Sequence, residues 1–115
     1  MVNQMVYQHP GKLDVVFAAL ADPTRRAIVA RLAEGEASVS ELAEPFAMSL
    51  PAVFKHVQVL KQAGLVDDYK LGRVRRCRLT ALPLQGAHRW IGEYGRFWDG
   101  QLDSLADHLR APAED

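Results

Sequence analysis

Helix-start signals in the first half of the chain lie so close together that only short helices fit between them. Asp22 followed by Pro23 is an N-cap residue with a first-turn proline, and Ser38 with Glu41 three positions later is a capping box. Ser49 is placed to cap a further helix. The apolar stripes that such helices would bury are Leu13, Val16, Phe17 and Leu20, then Ile28, Val29 and Leu32, then Leu42, Ala43 and Phe46.

The helix that begins at Ser49 is predicted to end at Gly64 and has two unlike edges. At about 100° per residue its inner edge is apolar and consists of Val53, Val57 and Leu60. Its outer edge carries Pro51, Lys55, Gln58 and Gln62, with His56 at the boundary. An outer edge so rich in hydrogen-bonding groups indicates a polar partner in addition to water.

The formal charge of the 115-residue chain is zero, but its charges are segregated. Residues 49–80 hold seven basic and two acidic side chains, a net +5. Residues 1–48, with four basic and six acidic side chains, carry −2, and residues 81–115, with three basic and six acidic, carry −3. A positive segment between two negative ones indicates that this third of the chain binds a polyanion.

A β-hairpin is predicted after Gly64, from the segments LVDDY and VRRCRLT on either side of KLGR. Gly72 supplies the backbone freedom that a tight turn needs. The second strand has one face made of Val74, Arg76 and Arg78 and an inner face that carries Arg75, Cys77 and Leu79. Because arginines so close together repel one another without counter-ions, Arg73, Arg76 and Arg78 are expected to bind phosphate. Arg75 is the weakest candidate of the four.

The last predicted helix runs from Leu84 to Leu109 and is unusually apolar for a terminal helix. Its stripe consists of Ala87, Trp90, Ile91, Tyr94, Phe97, Trp98, Leu102, Leu105 and Leu109. A domain of this size has too little interior to cover that stripe, so a second copy of the chain is expected to cover it. Two alternatives are open for its glycines, close backbone approach or a break into two helices, and the residues concerned are Gly86, Gly92, Gly95 and Gly100.

Two short helices, the second polar on its outer edge, followed by a basic hairpin describe a winged helix-turn-helix, mainly α with a small β-hairpin wing. The second helix of such a unit suits the major groove, so the expected partner is double-stranded DNA. The predicted divisions are an N-terminal arm (1–11), a single domain (12–110) with helix-turn-helix (38–64), wing (65–80) and dimerisation helix (84–110), and a tail (111–115). The residues expected to contact DNA are Ser49, Pro51, Phe54, Lys55, His56, Gln58, Arg73, Arg76 and Arg78.

Several of these side chains have a second interpretation. His56 fits a phosphate or base contact and fits equally well a structural position at the edge of the core. Arg25 and Arg26, which open the second helix, fit the DNA backbone or a surface salt bridge. Cys77 is predicted to be a small half-buried strand residue rather than a redox switch, although neighbouring arginines would favour its thiolate.

These stretches resemble the ArsR/SmtB family of bacterial transcriptional repressors over roughly residues 13–109. The matching segments are ALADPTRRAIVARL, VSELAEPFAMSLPAVFKHVQVLKQAGLV and GRVRRCRLT, of which the first two are specific in combination. The resemblance implies a homodimeric repressor that dimerises through its N- and C-terminal helices, binds a partly palindromic operator and releases it when a signal arrives. The expected dimer interface is Leu13, Phe17, Trp90, Tyr94, Phe97, Trp98, Leu102 and Leu105.

The chain departs from the metal-sensing members of that family. Its segment SELAEPF has no cysteine, and His88 and His108 lie twenty residues apart, with no convincing ligand spacing to the aspartates between them. The resemblance is therefore to the subgroup that does not sense metals, and no metal or other cofactor is expected. The tail WIGEYGRFWDGQLDSLADHL resembles regulators often encoded beside small ligand-binding proteins of the Aha1/START-like type, so the existence of a small-molecule effector stays open. Phe54 replaces a small hydroxyl residue common in the family, which implies an apolar contact such as a thymine methyl.

Other classes of function fit the sequence poorly. It contains no nucleophile–base pair, no paired carboxylates and no phosphate-cradling glycine loop, so enzymatic activity is not expected. The chain has one cysteine, no signal-like N-terminus and no apolar run near the roughly 18 residues of a membrane span, which favours the cytoplasm. The alternative to a DNA-binding regulator is a winged-helix protein-interaction module whose basic hairpin docks an acidic protein partner.

Overall fold

The computed structural model describes residues 12–110, so the predicted arm at 1–11 and tail at 111–115 lie outside the described residues. The elements are α1 (residues 12–20), α2 (Pro23–Leu32), β1 (Ala37–Ser38), α3 (Val39–Ala43), α4 (Leu50–Gln62), β2 (Val66–Leu71), β3 (Val74–Leu79), α5 (Leu82–Gly92) and α6 (Gly95–Arg110). A mainly helical chain with a hairpin between α4 and α5 confirms the predicted fold class, a winged helix-turn-helix.

The helix-start residues predicted from the sequence cap helices in the structure. Asp22 is the N-cap residue of α2. The Ser38 hydroxyl accepts a hydrogen bond from the Glu41 amide (3.1 Å), and the Glu41 carboxylate accepts one from the Ser38 amide (2.8 Å). The Ser49 hydroxyl accepts a hydrogen bond from the Ala52 amide (3.2 Å). Each bond satisfies an amide that the helix itself leaves without a partner, so short helices in this chain have well-defined beginnings.

The helix α3 is shorter than the sequence pattern predicts. Phe46 was expected to lie in this helix, but the helix ends at Ala43. Pro45 has no amide hydrogen to donate to the carbonyl of Glu41, so the regular hydrogen-bond ladder stops there. Phe46 packs against the core from the connection instead. A helix through Phe46 would have left only residues 47–49 as the connection, whereas α3 and α4 are joined by residues 44–49.

The core lies between α2, α4 and the sheet. Val53, Val57 and Leu60, the predicted inner edge of α4, are all 0 % exposed. The other buried apolar residues are Val16, Ala19, Ile28, Leu32, Ala37, Leu42, Ala63, Leu65, Val66, Cys77 and Ala87. Because α4 sits on this core by one edge, its opposite edge is held outward by packing rather than by local helix propensity.

The wing is a three-stranded antiparallel sheet with strand order β1-β3-β2. Asp67 pairs with Arg78, and Asp68 pairs with Cys77. Gly72 has φ +67° at the first position of the two-residue loop between β2 and β3, which suits a glycine. The strand β1 was not predicted, because two residues carry no alternating pattern and their partner β3 lies far along the chain.

The junction between α4 and the wing is a fixed turn centred on Gly64. The Gly64 amide donates to the Lys61 carbonyl (2.9 Å), and the Leu65 amide donates to the Leu60 carbonyl (2.9 Å). Together with φ +77° at Gly64, these bonds form a Schellman motif. The base of the wing is thus attached rigidly to the C-terminal end of α4.

Replacing Gly64 with alanine is expected to lower the free energy of unfolding by about 1–2 kcal/mol, because an L-residue is strained at positive φ. The added Cβ would also lie 3.4 Å from Cγ of Pro83. The matched control is Gly100→Ala within α6, where φ is not positive and the Cβ meets nothing within 4 Å. That control should be neutral or stabilise by up to about 1 kcal/mol. Urea denaturation measures both, and equal shifts for the two variants would contradict the assignment.

The C-terminal stripe forms two helices, α5 and α6, and not one helix over 84–110. The break falls at Glu93 and Tyr94, whose amides make short-range turn bonds to the carbonyls of Trp90 and Ile91. Of the two alternatives left open for the glycines, the structure shows the break, next to Gly92 and Gly95. Within residues 12–110 there is no helix with the length and apolarity needed to cross a bilayer.

Candidate DNA interface

The outer edge of α4 is open over its first three turns. Ser49, Pro51 and Lys55 are exposed, and Gln58 is half-buried. Phe54 is 38 % exposed and lies among these polar groups, with Leu50 and Val59 also exposed. This edge therefore combines hydrogen-bonding groups with apolar surface. It is complementary to a major groove, where base edges offer hydrogen-bond donors and acceptors and thymines offer methyl groups.

His56 does not share this open edge. It is half-buried against α2, with Nδ1 3.3 Å from Nη1 of Arg25 and 3.8 Å from a carboxylate oxygen of Asp22. Of the two interpretations of His56, these contacts favour the structural position at the core edge. Its contact with DNA stays a prediction.

Arg25 and Arg26 are held by the C-terminal end of α1. Nε of Arg25 donates to the Ala19 carbonyl (2.7 Å) and Nη2 donates to the Ala18 carbonyl (3.2 Å). Nη1 of Arg26 donates to the Leu20 carbonyl (2.7 Å). Both guanidinium groups thus satisfy carbonyls that the end of a helix leaves open, an arrangement that the helix dipole also favours.

The wing has two faces of different charge, and the strand register assigns each residue to one of them. We call the face that carries Asp67, Tyr69, Arg76 and Arg78 the outer wing face. The inner wing face carries Asp68, Lys70, Arg75 and the buried Cys77, and it lies on the same side as Lys61 of α4. The arginines of the wing are therefore divided between two faces rather than gathered on one.

The arginines of the outer wing face are neutralised by carboxylates. Nη1 of Arg76 lies 3.3 Å from Oε1 of Glu41, and Nη2 of Arg78 lies 3.0 Å from Oδ2 of Asp67. The Tyr69 hydroxyl donates to Glu36, and this hydrogen bond raises the pKa of Tyr69. Each arginine of this face therefore has a carboxylate beside it, Glu41 for Arg76 and Asp67 for Arg78, which cancels its charge. Contact of Arg76 and Arg78 with DNA stays a prediction, and it would require exchange of a carboxylate for a phosphate.

The inner wing face is positive and is organised around Asp68. Oδ1 of Asp68 lies 2.9 Å from Nζ of Lys61, and Oδ2 lies 3.2 Å from Nη1 of Arg75. The hydrogen bond from the Lys61 ammonium, assisted by Arg75, holds the pKa of Asp68 below its usual value, so the carboxylate is ionised at neutral pH. With Lys61, Lys70 and Arg75 against Asp68, the local charge is +3 − 1 = +2.

Three cations of the basic segment have no intramolecular partner in the described part of the chain. Lys55 on α4, Lys70 on β2 and Arg73 at the tip of the wing are exposed, and none of their side chains makes a hydrogen bond or ion pair within residues 12–110. These are the groups most ready to bind phosphate, because they give up no existing ion pair. Lys70 is not among the DNA contacts expected from the sequence. The register of the hairpin, which pairs Lys70 with Arg75, is the signal that places it on the positive inner wing face.

Cys77 lies in the core beneath the inner wing face. It is 0 % exposed, and burial raises the pKa of its thiol. A protonated and inaccessible thiol reacts slowly, so these observations favour the predicted structural role over a redox switch.

The aromatic residues predicted for the dimer interface form a continuous row on the surface. Phe17 of α1 contacts Trp90 of α5 (ring centroids 5.7 Å apart), Trp90 contacts Tyr94 (5.0 Å), and Tyr94 contacts Phe97 of α6 (6.2 Å). Leu13 and Phe17 are half-buried. The remaining members are exposed: Trp90 45 %, Tyr94 43 %, Phe97 57 %, Trp98 62 %, Leu102 62 % and Leu105 52 %. So large an exposed apolar surface is typical of an interface.

His88 and His108 of the C-terminal helices are both exposed. Among the residues from 12 to 110, no three His, Cys, Asp or Glu side chains stand close enough together to hold a metal ion.

Known proteins with similar sequence and structure agree on one family. A helix-turn-helix domain profile matches residues 20–69. The HTH-type transcriptional regulator Rv2034 of Mycobacterium tuberculosis is 40% identical over 102 residues, which are 89% of this chain and 92% of that protein. The transcriptional repressor SdpR of Bacillus subtilis is 36% identical over 87 residues, 76% of this chain and 97% of that protein.

A solved structure extends this similarity to three dimensions. The crystal structure of the ArsR family transcriptional regulator RHA00566 superimposes with a TM-score of 0.72 at 44% identity. The match covers 78% of this chain and 93% of that one. The resemblance seen in the sequence is thereby confirmed, as is the expectation that the chain is not an enzyme. The chain belongs to the ArsR family of winged helix-turn-helix, DNA-binding transcriptional regulators.

Proposed function

We propose that this chain is a homodimeric repressor that binds a partly palindromic operator, with α4 in the major groove and the wing on the adjacent backbone. The observation that carries the proposal is the open outer edge of α4, flanked by the unpartnered cations Lys55, Lys70 and Arg73. A helix of this width fits the major groove, and cations at its flank and at the wing tip can bind the phosphates on either side.

A second copy of the chain is proposed to cover the apolar surface of α1, α5 and α6. Every side chain from 96 to 109 is exposed, so the single chain leaves the apolar side of α6 largely uncovered. Trp98, Leu102, Leu105 and Leu109 follow one another at intervals of four, three and four residues, the spacing of a seam between two helices. A twofold dimer would present two copies of α4 to one duplex, which is why the operator is proposed to be partly palindromic.

An open groove beside this surface is the proposed place for an effector, if one acts on the protein. It has a volume of about 1000 Å³ and lies between α1, the C-terminal end of α4 and α5. Its lining combines Leu13, Pro83 and Trp90 with Lys12, Arg89 and Glu93. A molecule in this groove would touch both the proposed dimer surface and the DNA-reading helix.

The experiment that tests this proposal is selection of binding sites from a random DNA pool, followed by affinity measurements at several salt concentrations. Three unpartnered cations in each of two protomers give six phosphate contacts, so the plot of log K against log salt should have a slope of about −5. The selected sequences should contain two related half-sites about one helical turn apart. A flat salt plot would contradict the proposal and would favour a protein partner instead.

A further inference from the structure

Asp68 is the one carboxylate of the inner wing face, and it is almost completely covered. Its side chain is 4 % exposed, whereas the two cations that cover it, Lys61 and Arg75, are each 42 % exposed. Each carboxylate oxygen binds a different cation, Oδ1 the ammonium and Oδ2 the guanidinium. Asp68 of β2 therefore joins the wing to the last turn of α4 through Lys61, and Arg75 of the same hairpin holds its other oxygen.

Asp68 is unfavourable for DNA binding if only its charge is considered. It lies on the positive side of the wing and cancels part of the charge that a phosphate would meet. Its desolvation also costs free energy that the two ion pairs must offset. A carboxylate at this position must therefore contribute something other than charge. Its contacts indicate that it orients the wing relative to α4.

The base of the wing is fixed relative to α4 by the turn at Gly64, by the pairing of β1 with β3 and by the burial of Val66 and Cys77 in the core. These contacts leave the outer part of the hairpin free to bend relative to α4. Beyond the base, the ion pair between Asp68 of β2 and Lys61 is the one ion pair that joins α4 to the wing within residues 12–110. Arg75 belongs to the same hairpin as Asp68, so its ion pair holds the second carboxylate oxygen in place rather than linking the wing to α4.

We propose that Asp68 is a positioning residue, which locks the wing at a fixed angle to α4 so that both engage one operator half-site together. This inference rests on the proposed function. The inference concerns specificity rather than affinity alone. A wing held at a fixed angle reaches its phosphates only when α4 is seated on the sequence it recognises, so the wing adds affinity for the operator alone. A wing that can change its angle binds the phosphate backbone of any sequence equally well. Asp68 thus acts on DNA only through Lys61 and Arg75.

The test compares Asp68→Asn with Asp67→Asn, since these adjacent substitutions remove the same charge from opposite faces of one strand. Asp67 is 52 % exposed; its carboxylate pairs with Arg78 of the outer wing face and accepts a hydrogen bond from the Asp68 amide, which an asparagine oxygen can also accept. The Asp67→Asn variant should bind the selected operator and a scrambled duplex more tightly by the same factor. The Asp68→Asn variant should bind the scrambled duplex more tightly and the operator less tightly, so that the ratio of the two affinities falls at least about tenfold.

A second pair of variants covers the case in which Asp68→Asn fails to fold. Lys61→Met and Arg78→Met each remove a partly exposed cation, the first from the ion pair between α4 and the wing and the second from the outer wing face. Lys61→Met should lower the affinity ratio, and Arg78→Met should leave it unchanged. A merely destabilising substitution would lower the active fraction but leave this ratio constant. A constant ratio in both Asp68→Asn and Lys61→Met would overturn the proposal.

A measurement without DNA separates this proposal from the proposed function. Residual dipolar couplings of the DNA-free protein report the angle between α4 and the β2–β3 hairpin. The wild type and Asp67→Asn should fit one fixed angle, and Asp68→Asn should need a spread of angles. A fixed angle in Asp68→Asn would refute positioning even if DNA binding is established. A wild type that binds no DNA would refute the proposed function and leave this result unaffected.

Discussion

Replacing Trp98 with glutamate is expected to convert the dimer to a monomer and to abolish tight operator binding. Trp98 is 62 % exposed in one chain, on the same side of α6 as Leu102 and Leu105. A twofold interface would contain two such tryptophans, and two buried glutamates in their place would cost at least about 4 kcal/mol, or about 1000-fold in the dimer dissociation constant. Sedimentation velocity measures the oligomeric state, and a gel-shift assay with the selected operator measures binding.

The control for this variant is Asp103→Lys, which changes the charge of α6 about 140° around the helix from Trp98. Asp103 is exposed and lies about 100° or more from every member of the apolar row on α6. The Asp103→Lys variant should remain dimeric and should bind the operator with little change. A Trp98→Glu variant that sediments as a dimer would mean that another surface joins the two copies.

Replacing Lys55 with glutamate is expected to weaken operator binding by at least about 100-fold. Lys55 lies on the open edge of α4 and has no partner within residues 12–110, so its charge is free to meet a phosphate. The substitution removes an attraction and adds a repulsion in each of the two half-sites, at about 1.4 kcal/mol or more for each copy. The slope of log K against log salt should become shallower by about 2.

The control reverses an equal charge away from the proposed interface. Arg89 is exposed on α5, at least about 100° around the helix from Trp90 and Tyr94. The Arg89→Glu variant changes the net charge by the same amount, so it should lose only the small part of the affinity that depends on total charge. Equal losses in Lys55→Glu and Arg89→Glu would show that α4 does not lie closer to the DNA than α5.

The parts of the fold that could be predicted from the sequence are those set by local interactions. A cap such as Ser38 with Glu41 bonds within one turn, and Gly64 takes positive φ within its own turn, so each leaves a readable signal. The end of α3 differs from the expectation because Phe46 continues the apolar spacing of the helix, whereas Pro45 interrupts its hydrogen bonds. The strand β1 is defined only by pairing with β3, which no local pattern contains.

The partners of charged side chains could not be predicted, because they depend on which elements meet in three dimensions. Arg76 was expected to face phosphate, yet it lies beside Glu41, thirty-five residues earlier in the chain. Arg75 is a weaker phosphate-binding candidate than Arg76 on the sequence pattern, because it shares a strand face with Cys77. In the structure, that face is the one beside α4. The alternating side-chain directions in a strand identify which residues share a face. Only the packing of the sheet decides which of the two faces lies toward α4.

One guanidinium group connects three helices of this protein. Arg25 belongs to α2, donates to the Ala18 and Ala19 carbonyls at the end of α1, and contacts His56 of α4. Neither α1 nor α4 can be displaced alone without giving up a hydrogen bond to this group. A displacement of α1 would therefore also disturb the position of α4, through a side chain that belongs to neither helix.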